Sequence, residues 1–231
     1  MTIIKTEASH GKDFVYRWST HVPVVNTILE ILNPELIVEL GIGHFSSPLF
    51  FNSNAKKIIH IENDKNWLSI IKKEYLNKID NRSEFRHHIL NNINLSKHLN
   101  DLSQNERKEI ENYYSNLSSE IKTMNFKTAL MFTDGYTSTR RLSIDILTKD
   151  FQVVIYHDAE EPKTYDYYNI KKELYESYDN YILKTIRTHT GFFIKKNYVE
   201  QNTLKTIMNK NIHNYVKSIN VNNEGFELIK I

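Results

Sequence analysis

The chain has 231 residues, enough for one α/β domain with a full core, and its 40% hydrophobic and 25% charged content is that of a soluble globular protein. A net charge of +2 argues against a polyanionic partner, and the absence of cysteine excludes disulfides, thiolate nucleophiles and thiolate metal sites. No run of about 18 apolar residues occurs, and residues 1–7 lack a signal peptide's apolar core, so no membrane association and a cytoplasmic location are expected.

Residues 1–22 read as an N-terminal arm in which His10, Gly11, Tyr16, Arg17, Trp18 and His21 cluster. Such a segment either packs on the domain or covers a pocket. Val24, Ile28 and Ile31 then recur at helical spacing, and Asn33-Pro34 ends that helix. Leu36, Ile37, Val38 and Leu40 make a run too short for a globular helix, and it reads as a strand buried on both faces. It ends on a carboxylate, Glu39, followed by Gly41 and Gly43. With only six glycines in the chain, two in one turn mark a sharp bend or a close ligand approach. Ser46 or Ser47 can then N-cap a helix with Pro48 near its first position. Strand, glycine turn and helix N-terminus together suit a nucleotide-like ligand.

Lys57–Ile61 reads as a second strand that ends at Glu62, before Asn63, Asp64 and a helix with Trp67, Ile71 and Tyr75 four apart. A third short strand over Glu84–Leu90 leads into Asn91 and Asn92. Ile110, Tyr114, Leu117, Ile121 and Met124 follow at helical spacing. The span 93–126 is longer than an ordinary crossover and reads as a helical insertion, either a substrate lid or an oligomer contact. Ala129–Thr133 is a fourth strand ending in Asp134-Gly135, and Tyr136 to Arg141 leads into a helix carrying Leu142 and Ile146. Val153–Tyr156 is a fifth strand ending in His157-Asp158. A helix is expected over Tyr165–Tyr178, with Tyr167, Ile170, Leu174 and Tyr178 inward. Ile182–Thr188 and Phe192–Lys195, joined around Gly191, form an antiparallel pair. Residues 198–231 are a C-terminal extension, with a helix over 201–219 and a candidate extra strand at Phe226–Ile231. With no repeat or linker in view, 1–231 reads as a single domain.

The run Glu39-Leu-Gly-Ile-Gly43, with Ser46 and Ser47 behind it, resembles the first motif of class I S-adenosylmethionine-dependent methyltransferases. Ile59-His-Ile-Glu-Asn-Asp-Lys-Asn-Trp67 resembles their second. The likeness spans residues 24–196. It departs from the fullest pattern at Phe45, where a third glycine would fall, and is closer to a variant in which serine follows Gly-x-Gly. The resemblance implies an α/β fold: a Rossmann-like open sheet, mostly parallel and seven-stranded, with an antiparallel C-terminal strand and helices on both faces. It implies S-adenosylmethionine as cofactor, bound by Glu39, Gly41, Gly43, Ser46, Ser47, Glu62, Asn63 and Asn91. Glu62 would take the ribose hydroxyls, and Asn91 would reach the adenine amine through its carbonyl.

Asp134-Gly135 followed by Arg140, then His157-Asp158 after the next strand, resembles sugar-modifying and related O-methyltransferases, with Tyr136 where some have proline. The expected activity is O-methylation of a sugar or other small hydroxylated acceptor, a free molecule or a glycan, with no nucleic-acid partner. Transfer from a sulfonium to a hydroxyl is an in-line displacement that needs alignment and a route for the proton. His157, Asp134 and Asp158 are the catalytic candidates. In one mechanism His157 is the general base and an aspartate orients it. In the other, Asp134 and Asp158, with or without His157, hold Mg²⁺ or Mn²⁺, which acidifies the hydroxyl. Arg140 or Arg141, and Tyr136, are expected to bind the acceptor, an anionic one through the guanidinium fork. A homo-oligomer is a further expectation. Two other classes stay open: a non-catalytic cofactor-binding or scaffold protein on this fold, and an NAD-dependent oxidoreductase, although residue 46 is Ser where the longer glycine fingerprint has Gly.

Overall fold

Four short, mostly apolar segments and one polar edge segment, Ser83–His87, become the parallel strands of one sheet. The computed structural model describes residues 18–88, 99–160, 172–186, 188–220 and 225–231. In chain order its elements are α1 (Val22–Leu32), β1 (Leu36–Leu40), α2 (Ser47–Phe51), β2 (Lys57–Glu62), α3 (Lys65–Glu74), β3 (Ser83–His87), α4 (Gln104–Thr123), β4 (Ala129–Thr133) and α5 (Thr137–Leu147). They continue with β5 (Val153–His157), α6 (Lys172–Ser177), β6 (Tyr178–Lys184), β7 (Thr190–Lys195), α7 (Gln201–Ile219) and β8 (Glu227–Lys230).

The strand order is β3-β2-β1-β4-β5-β7-β6-β8. Strands β1 to β5 pair in parallel, and β7 inserts antiparallel between β5 and β6. The expected open, mostly parallel sheet with a reversed strand near the C-terminus is present. The segment expected as an extra strand adds an eighth, β8, antiparallel on β6.

Alternation along the strands sorts side chains into two layers, because successive Cβ atoms point to opposite faces. Ile37, Ile58, Leu130, Phe132, Val153 and Ile155 face a layer that includes Val24, Val25 and Ile28 of α1 and Leu204, Met208 and Ile212 of α7. Leu36, Val38, Ile59, Met131, Val154 and Tyr156 face α4 and α5. The same alternation continues past the apolar residues. It puts Glu39 and His60, which are register partners, on the α1 face.

Helix α4 starts with a capping box, the Ser103 hydroxyl accepting from the Glu106 N–H while Glu106 accepts from the Ser103 N–H. It is the crossover between β3 and β4. Its stripe Ile110, Tyr114, Leu117 and Ile121 is buried against this domain's own sheet and α5. The described part of the 93–126 span therefore has its apolar partner within the chain, and neither a lid nor a second subunit is needed to cover it.

Several boundaries differ from expectation, among them those of β6, which runs Tyr178–Lys184 where Ile182–Thr188 was expected. β3 ends at His87, short of residue 90. Tyr178 opens β6 and does not close the preceding helix; its hydroxyl donates to the carbonyls of Thr148 and Phe151, which holds the residue in extended conformation. Residues 165–171 of that expected helix, including Tyr165, Tyr167 and Ile170, lie outside the described residues. Among those described, no helix is long and apolar enough to cross a membrane.

Candidate functional site

Strand order reverses between β1 and β4, so their carboxyl ends diverge into loops that leave a crevice. The two loops touch there. Gly41 has φ +88°, and a Cβ on it would lie 2.5 Å from the Gly135 nitrogen. Only glycine meets both the backbone angle and the contact. The crevice opens into a cavity of about 290 Å³ lined by Gly41, Ile42, Glu62, Asp64, Trp67, Asp134, Gly135 and Tyr136.

Glu62 forms one wall. Its Oε2 accepts from the Ile42 N–H at 3.1 Å, and its Oε1 accepts from the Asn63 and Asp64 N–H groups at 2.7 and 2.9 Å. Burial raises its pKa, and the three amides pull against that rise. Asp64 N-caps α3 by accepting from the Asn66 and Trp67 N–H groups. That cap orients Trp67, whose indole N–H donates to the Ile42 carbonyl at 2.7 Å. The glycine loop is thus tied to the end of β2 from both sides.

Glu39 lies elsewhere. It is fully buried and accepts from the Ser46 hydroxyl at 2.5 Å and from the Ser47 hydroxyl at 2.9 Å, with His60 Nδ1 at 2.5 Å. The Ser47 hydroxyl in turn accepts from the Gly43 N–H at 3.0 Å. Glu39, Gly43, Ser46 and Ser47, expected to touch the cofactor, form an internal clasp that shapes residues 41–47, and they are not among the residues that line the cavity. Ser46 is the N-cap of α2 by position, but its hydroxyl is turned to Glu39 and makes no cap bond. The Asn63 side chain donates to the His88 carbonyl at 3.1 Å, away from the cavity. Asn91 lies outside the described residues. Of the expected cofactor set, Gly41 and Glu62 line the cavity.

The opposite wall is Asp134, which the extension of β4 holds through its N–H to the Leu40 carbonyl. Behind it is a charged cluster. Arg140 donates to Asp134 Oδ1 at 2.9 Å, to Asp158 Oδ2 at 2.6 Å and to the Gly135 carbonyl at 2.6 Å. His157 Nδ1 is 3.3 Å from Asp134 Oδ1 and 3.5 Å from Asp158 Oδ1. Its Nε2 meets the hydroxyls of Thr20 and Thr188 at 3.1 and 3.3 Å. Asp158 adopts the left-handed conformation, φ +53°, which Asp tolerates better than most residues.

Burial alone would raise the Asp134 pKa, but the charges of His157 and Arg140 and the His157 hydrogen bond outweigh it and hold the carboxyl well below the usual range. Burial alone would lower His157; the charge and hydrogen bond of Asp134, then Asp158, reverse that and raise it above 6.5.

The three catalytic candidates are therefore brought together, with revised places. His157 is 1% exposed, so Asp134, not His157, faces the cavity. Arg140 is engaged by both aspartates and the loop carbonyl, and Arg141 by Asp145 at 3.0 Å, so neither guanidinium is turned to an acceptor. Tyr136, expected at the acceptor, lines the cavity beside Glu62 and Asp64. Asp134 and Asp158 do not fit the expected Mg²⁺ or Mn²⁺ site, because the Arg140 guanidinium already bridges them where that cation would sit.

Sequence reasoning missed Trp67 and Asp64 as cavity residues, although an Asp N-cap right after the strand-end acid was a usable signal. It also missed Thr20, Thr188 and the position of His21. The His21 ring stands edge-on to His157 at 4.7 Å and packs on Phe132 at 5.1 Å. Burial, then the His157 charge, lower its pKa to about 3, so it is neutral at pH 7.

No protein-family model matches the sequence, and no curated protein matches it as a relative. Solved structures do match its fold. An O-methyltransferase from Bacillus cereus in complex with SAH aligns over 76% of this chain and 81% of its own, at 11% identity and a TM-score of 0.53. A candidate caffeoyl-CoA O-methyltransferase from Staphylococcus aureus aligns over 80% and 92%, at 12% identity and a TM-score of 0.51. The chain has the fold of class I S-adenosylmethionine-dependent methyltransferases, with a cavity at the switch point of its sheet.

Proposed function

We propose that the protein is an S-adenosylmethionine-dependent methyltransferase that methylates a hydroxyl of a sugar or another small hydroxylated acceptor. The observation that carries this reading is one cavity with two unlike walls. Glu62 and Trp67 form one, suited to a ribose and a flat base, and Asp134, backed by His157, forms the other. The two structural matches described above bear the name O-methyltransferase, and one is in complex with SAH, the demethylated cofactor.

In this reaction the acceptor hydroxyl donates to Asp134 while its oxygen attacks the methyl carbon. S-adenosylmethionine, which Glu62 and Trp67 would hold, would supply the methyl group and keep the S–C electron pair on sulfur, and the hydroxyl proton would pass to the Asp134–His157 pair. Asp134 aligns the nucleophile and His157 acts through it, so the active form is the one in which His157 is neutral. No metal takes part in these steps.

The test is calorimetry with S-adenosylhomocysteine and, separately, NAD⁺, followed by transfer of labelled methyl from S-adenosylmethionine to a panel of sugars and phenols. Binding of S-adenosylhomocysteine alone, and turnover lowered by roughly 10²–10⁴ in Asp134→Asn, is the expected result. Binding of NAD⁺ without S-adenosylhomocysteine overturns the reading. Cofactor binding with no transfer to any acceptor class points to a non-catalytic binding protein.

A further inference from the structure

Behind the cavity wall, three side chains from distant parts of the chain converge: His21 before α1, Asp134 after β4 and His157 at the end of β5. One ligating atom from each lies within 4.8 Å of the other two. His21 is 2% exposed, and both its ring nitrogens are buried with no hydrogen-bond partner. Unpaired buried polar atoms are costly, and an apolar ring would pack equally well against Phe132. The mechanism above makes no use of His21.

We propose that His21, Asp134 and His157 form a binding site for a divalent transition-metal ion. Two imidazole nitrogens and one carboxylate suit Zn²⁺, Fe²⁺ or Co²⁺ and disfavour Mg²⁺, which prefers oxygen alone. Ligand bonds of about 2.0–2.2 Å in a tetrahedral set hold the donors about 3.4 Å apart, so movements of up to about 1.4 Å draw the three side chains onto one ion. The outer shell is in place. The Thr20 and Thr188 hydroxyls beside His157 Nε2 can take its N–H, which presents Nδ1 to Asp134 and the ion. Arg140 bonds Asp134 through Oδ1, which leaves Oδ2 for a ligand bond, and Asp158 matches the guanidinium charge. This donor set lies on the His21 side of Asp134, apart from the Arg140-bridged carboxylates. An ion here would occupy the His157 Nδ1 and Asp134 carboxylate that the proposed methyl transfer uses, so the metal-bound and transfer-competent forms are alternatives; metal binding is tested without reference to transfer.

The experiment uses the full chain without a histidine tag, stripped by a chelator and titrated with Zn²⁺, and in parallel with Co²⁺, whose visible spectrum reports nitrogen ligation. One ion per chain is expected, with a metal-dependent rise in Tm. His21→Phe keeps the aromatic packing and removes both nitrogens; it should weaken binding at least ~10²-fold. His213→Phe, exposed on α7, should leave binding unchanged. Failure of the wild type to bind Zn²⁺ or Co²⁺, equal binding by His21→Phe, or loss of binding in His213→Phe overturns the proposal. Should His21→Phe not fold, X-ray absorption at the zinc edge of the wild type decides. Two imidazole ligands support the site, and fewer overturn it.

Discussion

Glu62→Gln separates the structural from the ligand-binding work of the strand-end acid. The carboxylate accepts three backbone N–H groups, one on Oε2 and two on Oε1. Glutamine keeps one acceptor oxygen. With that oxygen toward Asn63 and Asp64, its NH₂ meets the Ile42 N–H donor to donor. The loss is one charge-assisted hydrogen bond, about 1.5–3 kcal/mol. The two remaining bonds weaken as the charge goes, but the buried carboxylate's desolvation cost, the leading influence on its raised pKa, goes with it and offsets that weakening. At about 2–4 °C per kcal/mol for a chain of this size, Tm should fall by roughly 3–12 °C. Loss of an ionised acceptor for ribose hydroxyls should cost a similar energy in the complex, so S-adenosylhomocysteine affinity should drop roughly 10–100-fold. Differential scanning calorimetry and titration calorimetry on the same preparation read the two effects. An unchanged Tm would show that the 41–43 loop does not hang on Glu62. A lowered Tm with unchanged affinity would show that the acid is a loop anchor and not a ligand contact.

The Asp134–His157 pair predicts how stability follows pH. The raised pKa of His157 contributes stability that is complete below 6.5 and is lost as pH rises through the folded value. The depressed pKa of Asp134 contributes stability present above 3.8 and lost as pH falls through its folded value. Urea midpoints measured from about pH 3 to about pH 9 should therefore decline at both ends for the wild type and more shallowly for Asp134→Asn; parallel curves would contradict the pairing. Gly191→Ala would put a Cβ 2.0 Å from Tyr156 Cζ, in a buried ring that cannot withdraw. It should cost at least about 1–3 kcal/mol, and Tyr156→Leu in the same chain should restore part of it in a double-mutant cycle. Additive losses would mean that the clash is relieved elsewhere.

How much of this was legible beforehand depends on what each feature needed. Four of the five parallel strands could be read because each is a short β-rich run closed by polar or glycine residues, while β3 is mostly polar; the carboxyl ends locate the site once the sheet is open and parallel. Glu62 and Asp134 were found in that way, as strand-end acids whose side chains do face the cavity. Glu39 occupies the same kind of position and yet points inward. Period-two alternation puts it on the face of Ile37, the strand register sets it beside His60, and packing of α2 against that face supplies the serine hydroxyls that hold it.

Arg140 could be seen as a cation near the acids, but not as the bridge between them. That bridge depends on the pitch of α5 and on the left-handed turn at Asp158. His21 was least legible. It lies 136 residues from His157 in sequence, as near neighbours as their rings are in space. Local sequence determines where a strand ends and which residues stand there, because backbone sterics and apolar periodicity are local. Which side chain faces the ligand, which neutralises a neighbour and which arrives from another element is decided only by how the helices pack on the sheet, since burial and charge pairing are set by residues far apart in the chain.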